Sequence, residues 1–536
     1  MTCMDGLSTK AGISAMAKAT ALAVIQGAAN SPNTSFIGSG SYRRIPYKRQ
    51  MLRHAKGVAA VLANFAHIPN THSMKTTAIV SSLMLSAAAM AQTGGITPAM
   101  LETISKAAPG GRADKAIANA IANNPIDNLA KSASALSQLD TKFSVETRKQ
   151  SIHDQKSSGR CWMFSGFNVL RSDFAMAADS AEVEFSHAYL FFYDQLEKAN
   201  LMLQATIDNA GKPMDDPLVR FFFKNPVGDG GTFCGVVDLA AKYGLVPKEA
   251  QPETYTAENT SRLGRLLSSK LREFGLELRA MAADGKKPAA MEKRKTEMLS
   301  TIYRMLSLTL GEPVKKFTYA FKDKDGNRIG VAKEYTPAEF CKATSGGLLP
   351  DGYIMVMNDP RRPYHKTYEV AYDRHTYDGH NWKYLNLPMD EIAQLAIASL
   401  KAGHKMYSSY DVGKQLDRDR GYLDLRNYDY GSLFGTDFGM DKAQRISTFD
   451  SGSTHAMTLT AVDLDEEGKP VKWKVENSWG KPKGQDGYLV MTNEWFNEYM
   501  FRLVVDKRFV PKETAEAFAQ KPEMLTYDDP LFGADD

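Results

Sequence analysis

The spacing of apolar residues changes near residue 313, and this change limits the folds that the chain can adopt. Before it, apolar residues recur three or four positions apart, as in "CWMFSGFNVLRSDFAM" from Cys161, and this spacing predicts a largely buried helix. After it, short runs such as "KTYEVAYD" (366–373) and "VKWKVENSWG" (471–480) are bounded by Gly, Pro, Asn and Asp, as strands are. Helices followed by strands favour the α+β class.

Residues 257–312 differ from their surroundings, because each half of the segment carries a single apolar stripe. The stripe of the first half consists of Leu263, Leu267, Leu271, Phe274 and Leu278. The stripe of the second half consists of Met298, Ile302, Met305 and Thr309. The pattern predicts a helical hairpin inserted into a core. Two uses of the hairpin remain open, self-association and packing on its own domain.

The net charge of +4 conceals an uneven distribution. Residues 1–73 carry eight Lys and Arg against Asp5 alone, so their charge is +7 and the remaining residues sum to −3. This balance excludes nucleic acid as the main partner. The four cysteines form no CxxC pair and no zinc-type spacing with His. We therefore expect no metal, no cofactor and no disulfide framework.

Residues 74–91 have every part of a secretory signal peptide, although they lie inside the chain. Lys75 precedes an apolar run, and Ala89-Met90-Ala91 forms a cleavage site before Gln92. The run is too short for a membrane span, which needs about 20 apolar residues. The simplest hypothesis is that translation begins at Met74 and that residues 1–73 are not native. A basic transit segment and a buried hairpin of small residues are the alternatives.

The rest of the chain divides by composition and pattern. The predicted parts are a helical lead-in (92–140), a helical region with a candidate nucleophile (141–256), the hairpin (257–312), a strand-rich region (313–528) and a C-terminal tail (529–536).

Cys161 is a candidate nucleophile, because Ser157-Ser158-Gly159 before it are predicted to supply the N-cap and a tight turn at a helix start, and a helix N-terminus stabilises a thiolate. His455 opens an apolar strand after a polar loop, where it could serve as the base. Asn477 ends another strand and could orient the imidazole, with Trp479 shielding the pair from water. Each has a structural alternative, namely a buried thiol, a histidine bonded to backbone and a turn asparagine.

Gln155 completes the candidate site from the residues alone. It lies six positions before Cys161, so a tight turn could aim its side-chain NH2 at the point that the Cys161 N–H faces. Two such donors would stabilise an oxyanion during acyl transfer.

The order Gln-x5-Cys-Trp, His-Ala and Asn-Ser-Trp-Gly resembles papain-like cysteine peptidases. Within them, "DQKSSGRCW", "THAMTLTAV", "KWKVENSWG" and "GYLVMTNEWF" are similar to the bleomycin hydrolase / aminopeptidase C family over roughly 140–535. The resemblance implies that Cys161 is the nucleophile, His455 the general base and acid, Asn477 the orienting residue and Gln155 the oxyanion donor. It also implies a papain-like core with a helical arm, a homo-hexameric ring and peptide substrates.

The resemblance further implies that the C-terminus lies in the cleft, where it captures the substrate's free amine and makes the enzyme an aminopeptidase. The tail "LTYDDPLFGADD" departs from the family in ending on Asp535 and Asp536, which join Trp479 as candidate substrate-binding residues. If this tail does not block the cleft, an endopeptidase or a dipeptidyl-peptidase is expected. A non-catalytic ring that binds peptides or nucleic acid is a third hypothesis. The signal at 74–91 predicts export, whereas most of the family is cytoplasmic.

Overall fold

The computed structural model describes residues 94–135, 140–178, 181–345 and 352–532. The segments predicted as a non-native extension (1–73) and a signal peptide (74–91) lie outside the described residues, as do Asp535 and Asp536. Contacts divide the chain into two units, residues 1–110 and 111–536. In the first, the described part holds a helix α1 (Pro98–Ile104) and a 3-10 turn (Ser105–Ala107).

The second unit contains both the helical part and the large sheet. Its helices are α2 (Arg112–Asn123), α3 (Ile126–Ala130), α4 (Cys161–Ala177), α5 (His187–Asp208), α6 (Pro217–Lys224), α7 (Phe233–Tyr243), α8 (Tyr255–Glu258), α9 (Ser261–Ala283), α10 (Pro288–Leu310), α11 (Pro337–Ser345), α12 (Met389–Lys401), α13 (Tyr430–Phe434), α14 (Lys442–Ser447), α15 (Asn493–Tyr499) and α16 (Lys512–Ala519). Its strands are β1 (Val145–Glu146), β2 (Ala181–Glu182), β3 (Phe317–Asp323), β4 (Arg328–Tyr335), β5 (Tyr353–Met357), β6 (Lys366–Val370), β7 (Lys383–Asn386), β8 (Met406–Tyr410), β9 (Leu416–Asp417), β10 (Tyr422–Leu423), β11 (His455–Leu464), β12 (Pro470–Glu476), β13 (Tyr488–Thr492), β14 (Met500–Asp506) and β15 (Glu523–Leu525).

A mixed twelve-stranded sheet forms the scaffold of the strand-rich half. Its order is β15-β6-β7-β5-β14-β8-β11-β12-β13-β10-β9, with β1 paired to β11. A separate three-stranded sheet has the order β2-β3-β4. The predicted α+β class is confirmed.

Helix α4 is buried on nearly all sides, as its continuous apolar sequence predicts. It joins α5, α7, α9 and α10 in one hydrophobic core, and a second core lies between the sheet and the helices α12 and α15. Among the described residues, no helix combines the length and the apolar character needed to cross a bilayer.

The helices α9 and α10 bury their apolar stripes in the core that contains α5. The stripe predicted for α9 is observed, whereas the stripe predicted for α10 is wrong in its second half. Leu306 and Leu310 are buried, while Met305 and Thr309 are only partly so. Residues spaced four apart shift gradually around the helix axis. The buried stripe therefore winds slowly round α10 and stays in contact with the surface on which the helix packs.

A buried ion cluster joins α4 to the large sheet. Arg171 Nη2 lies 2.7 Å from Glu476 Oε1, and Lys405 Nζ lies 2.9 Å from Glu476 Oε2. No more than 2% of any of these three side chains is exposed. Arg171 Nη1 also contacts Glu184 Oε1 at 2.9 Å, so two cations face two carboxylates. Burial lowers the pKa of Lys405, and the Glu476 contact opposes this shift.

We expect Glu476→Gln to destabilise the fold strongly, because Arg171 and Lys405 would keep their buried charges without the shared carboxylate. Removing one member of a buried ion pair costs about 3–5 kcal/mol. Urea unfolding followed by circular dichroism measures the change. The matched control is Glu334→Gln, which removes an exposed partner of Lys316 and should leave the midpoint within experimental error. Equal midpoints for the two variants would contradict a bridging role for Glu476.

Candidate active site

Cys161 is the first residue of α4 and is partly exposed. The prediction that Ser157-Ser158-Gly159 cap this helix is wrong, since the N-cap is Arg160 and no side chain caps it. The Ser158 hydroxyl instead donates to the Gln155 carbonyl at 2.6 Å and so closes the turn before the helix. Cys161 nevertheless lies at a helix N-terminus, where the helix dipole favours a thiolate.

Asp229 fixes the loop on both sides of Cys161. The Gly159 N–H donates to Asp229 Oδ2 at 2.6 Å, and the Trp162 indole N–H donates to the Asp229 carbonyl at 2.9 Å. A Cβ on Gly159 would lie 2.4 Å from Asp229 Oδ1, so only glycine fits without displacing the carboxylate. Sequence reasoning missed Asp229, although the "GDGG" run that contains it was conspicuous.

Gln155 is buried, and both ends of its amide are bound. Its Nε2 donates to the Ser158 carbonyl at 2.5 Å, and its Oε1 accepts from the Ser478 hydroxyl at 2.5 Å. The Gln155 N–H also donates to the Ser478 carbonyl at 2.8 Å. Because Nε2 carries two hydrogens, one remains for a ligand. Ser478 was not singled out from the sequence, and its place in "ENSWG" beside Asn477 was the available signal.

The hydrogen bonds of Asn477 determine which nitrogen of His455 carries the proton. Asn477 Oδ1 accepts from the Ser478 backbone N–H at 2.8 Å, and a backbone N–H can only donate. The same oxygen lies 2.8 Å from His455 Nε2, so Nε2 must be the protonated nitrogen. In the neutral ring, Nδ1 is then left as the proton acceptor.

The pKa of His455 is lowered to about 4, mainly by burial; the hydrogen bond with Asn477 opposes this shift, and the charge of Arg418 adds to it. The imidazole is therefore neutral at physiological pH and able to accept a proton. Trp479 stacks on it, with ring centroids 5.1 Å apart and an interplanar angle of 30°. The indole therefore covers one face of the imidazole.

A continuous chain of hydrogen bonds connects the two halves of the site. It runs from His455 through Asn477, Ser478 and Gln155 to Ser158, which lies three residues before Cys161. A separate contact brings α4 against β11, since Asn168 Nδ2 donates to Thr458 Oγ1 at 3.2 Å. Among the predicted residues, these contacts join His455, Asn477, Gln155 and Trp479, and Cys161 follows the bonded turn in the sequence. It does not describe Asp535 and Asp536.

His375 is a second residue that sequence reasoning missed, because its neighbours in the sequence form no motif. Its Nδ1 lies 2.6 Å from Asp194 Oδ1, and its Nε2 accepts the Thr232 N–H at 3.1 Å. Its ring packs against Trp162, with centroids 4.5 Å apart. Beta-carbons on Gly231 or Gly235 would overlap this ring. His375 therefore supports the glycine loop beside the nucleophile.

The other described cysteines have a different environment. Burial raises the pKa of both Cys234 and Cys341, so neither is suited to act as a thiolate. No group of three or more His, Cys, Asp or Glu side chains within the described ranges could hold a metal ion.

Comparison with known proteins shows to which family the chain belongs. A family model described as "Peptidase C1-like family" matches residues 95–532. The chain belongs to this family. It is therefore a cysteine peptidase, and the membership confirms the papain-like core.

Three relatives illustrate the similarity. Aminopeptidase C of Lactobacillus delbrueckii subsp. lactis is 40% identical over 408 residues, which cover 76% of this chain and 90% of the relative. Bleomycin hydrolase of Homo sapiens is 39% identical over 400 residues, which cover 73% of this chain and 87% of the relative. The crystal structure of PepW from Lactobacillus rhamnosis matches with a TM-score of 0.78 at 36% identity, covering 82% of this chain and 99% of that one.

We expect Gly159→Ala to reduce peptidase activity by about one hundredfold, because a displacement of about 1 Å at a reacting group has an effect of this size. The added Cβ would push away Asp229, which binds both sides of the nucleophile loop. Initial rates on an aminoacyl reporter, with circular dichroism as the check on folding, measure the effect. The control is Gly211→Ala, where an added Cβ meets nothing within 4 Å. Full activity of the Gly159 variant would refute this role of Asp229.

Proposed function

We propose that this protein is a thiol aminopeptidase that removes N-terminal residues from peptides through a thioester acyl-enzyme. The observation that carries the proposal is the hydrogen-bond chain from His455 to the turn before Cys161. The relatives named aminopeptidase C and bleomycin hydrolase support the same reaction.

The proposed chemistry begins with proton transfer from the Cys161 thiol to His455 Nδ1. The thiolate then attacks the carbonyl carbon of the first peptide bond and forms a tetrahedral intermediate. The Cys161 N–H and the remaining Nε2 hydrogen of Gln155 donate to its oxyanion. Collapse breaks the C–N bond, and the imidazolium gives its proton to the leaving amine.

The second half of the reaction hydrolyses the thioester. Neutral His455 removes a proton from water, and the hydroxide attacks the acyl carbon. The thiolate leaves and recovers a proton from the imidazolium, which returns the site to its initial state. Asn477 holds the ring plane through both halves, and Trp479 limits the access of water to this hydrogen bond.

The C-terminal tail is anchored to the fold before its last four residues, as the proposed exopeptidase requires. Strand β15 pairs with β6, and beyond it Leu531 is fully buried. Asp529 is buried as well, and it binds Arg362 and accepts from Arg361 Nη2 at 2.8 Å. These contacts fix the tail as far as Phe532.

The two terminal acids then complete the proposed specificity. Asp535 and Asp536 follow Phe532 in the sequence, separated from it by Gly533 and Ala534. In our proposal they bind the substrate's ammonium group and block the cleft beyond it. An endopeptidase or dipeptidyl-peptidase of the same fold is the alternative if the tail leaves the cleft open.

Replacing the nucleophile tests the reaction itself. Cys161→Ala should lower the turnover of an aminoacyl reporter by more than about a thousandfold without changing the unfolding midpoint, since no other group can form the thioester. Cys341→Ala is the matched control, because that thiol is buried away from the chain of hydrogen bonds. Turnover by the Cys161 variant at the wild-type rate would refute the proposal.

Removing residues 533–536 tests the role of the tail while retaining the Asp529 anchor. We expect the truncated enzyme to cleave N-acetylated peptides at least tenfold faster than the full chain, because the far side of the cleft becomes accessible. Its preference for a free amine should fall in parallel. Mass spectrometry of paired free and acetylated peptides reports both changes. A full-length enzyme that already cleaves acetylated peptides efficiently would favour the endopeptidase alternative.

Assembly and location complete the proposal. The resemblance implies a homo-hexamer, and the exposed outer faces of α9 and α10, with Leu266, Leu276 and Leu308, offer apolar surface for it. Light scattering that finds only monomers at micromolar concentration would overturn the hexamer. The segment 74–91 supports export, with cytoplasmic location as the alternative. N-terminal sequencing from the native cell should find Gln92, and a start well before Met74 would overturn export.

A further inference from the structure

An exposed cation, Arg418, lies close to His455 and is separated from it by the ring of Trp479. The Arg418 guanidinium lies over the Trp479 ring, 5.3 Å from its centroid. Trp479 in turn stacks on the imidazole at 5.1 Å. Arg418 itself is exposed to solvent. The three groups form a stack that leads from the imidazole to a positive charge at the surface.

The charge of Arg418 is not used elsewhere within the described ranges. No hydrogen bond or ion pair joins its guanidinium to another described residue. The adjacent Asp417 is buried and already bound, since its Oδ2 lies 3.0 Å from Lys131 Nζ and 2.6 Å from Arg420 Nε. Stacking on an indole holds a guanidinium in place while its N–H groups stay free for a ligand.

The chemistry of the site determines which part of a substrate passes Arg418. The leaving amine must reach His455 to receive its proton, so the portion after the scissile bond passes the imidazole. Asn477 occupies the Nε2 side of that ring, and Trp479 covers one face. Trp479 is partly exposed, whereas His455 is buried, so the accessible surface next to the base is the indole and then Arg418.

The distances select short leaving groups. Steps of 5.1 and 5.3 Å place the guanidinium within about 10 Å of the imidazole. Each residue of an extended peptide spans at most about 3.6 Å, so this distance corresponds to a leaving group of up to three residues. A free peptide of that length ends in a carboxylate, which is the group that a guanidinium fork binds best.

We propose that Arg418 is a specificity-determining residue that binds a carboxylate of the leaving peptide, up to three residues after the scissile bond. The inference rests on the proposed aminopeptidase function. It makes short peptides with a free C-terminus the preferred substrates, and an Asp or Glu side chain in the same stretch would supply the same group.

The test compares the full-length enzyme with Arg418→Gln, Arg418→Lys and the matched control Arg508→Gln. Arg508 is an exposed arginine in a 3-10 turn that pairs with Asp506, so the control removes the same charge from another surface. The substrates are trialanine as the free acid, trialanine amide and alanyl-aminomethylcoumarin, which has no leaving carboxylate. The amides of the tripeptides Ala-Ala-Asp and Ala-Ala-Asn distinguish a side-chain carboxylate from a terminal one.

We expect the wild-type kcat/KM for trialanine acid to exceed that for the amide about fivefold, as for one exposed ion pair. The ratio should approach one in Arg418→Gln, lie between these values in Arg418→Lys, and keep its wild-type value in Arg508→Gln. Raising the salt from 0.05 to 0.5 M should shrink the wild-type ratio, because the pair is screened.

Two results would overturn the inference. The first is a wild-type acid-to-amide ratio near one with both carboxylate sources. The second is an Arg418→Gln variant that loses acid, amide and coumarin substrates equally, which would make Arg418 a structural residue. Both results leave the wild-type hydrolysis of the coumarin substrate intact. Loss of that hydrolysis would instead mean that the proposed aminopeptidase function has failed.

Discussion

The site depends on one buried carboxylate that is shared by two cations. Glu476 binds Arg171 from α4 and Lys405 just before β8, so one side chain joins the helix that begins with Cys161 to the sheet that carries His455. Its neighbour in sequence is Asn477, which accepts a hydrogen bond from His455. Charges at such depth are stable only when each is paired, so the ion cluster tolerates one arrangement of helix and sheet.

The site itself is held by hydrogen bonds whose direction is decided by the backbone. The Ser478 N–H fixes the orientation of the Asn477 amide, and this amide fixes the tautomer of His455. The Ser478 hydroxyl binds the Gln155 side chain and thereby joins the proposed oxyanion donor to the same strand end. On the other side of the nucleophile, Asp229 binds Gly159 and Trp162. The reacting groups are therefore positioned before a substrate arrives.

The two ends of a substrate meet opposite charges in our proposals. The tail offers carboxylates for the substrate's ammonium, and Arg418 offers a cation for the carboxylate of a short leaving peptide. An enzyme of this kind would favour short free peptides over folded proteins, because only short peptides bring both termini to the site. This selection would act through charge at the two ends and leave the side chain between them less constrained.

Much of the fold was predictable because the spacing of apolar residues indicates which side of a helix or strand is buried. The buried character of α4, the stripe of α9 and the strand pattern after residue 313 follow from the spacing of apolar residues. The second half of the α10 stripe was not predictable, since the surface on which it packs decides which side rotates inward. The predicted N-cap of α4 was also wrong, because the Ser158 hydroxyl donates to the Gln155 carbonyl in the preceding turn instead.

The sequence by itself determined the α+β class and the chemistry available, through Cys161, His455, Asn477 and Gln155 in motifs that resemble one peptidase family. Only the tertiary structure decided which nitrogen of His455 is protonated and how Arg418 stacks on Trp479. It also decided that Asp229 and His375 hold the loops beside Cys161 in place. These features join residues that lie far apart in the chain. No local pattern encodes such contacts, because they depend on how helix and sheet meet.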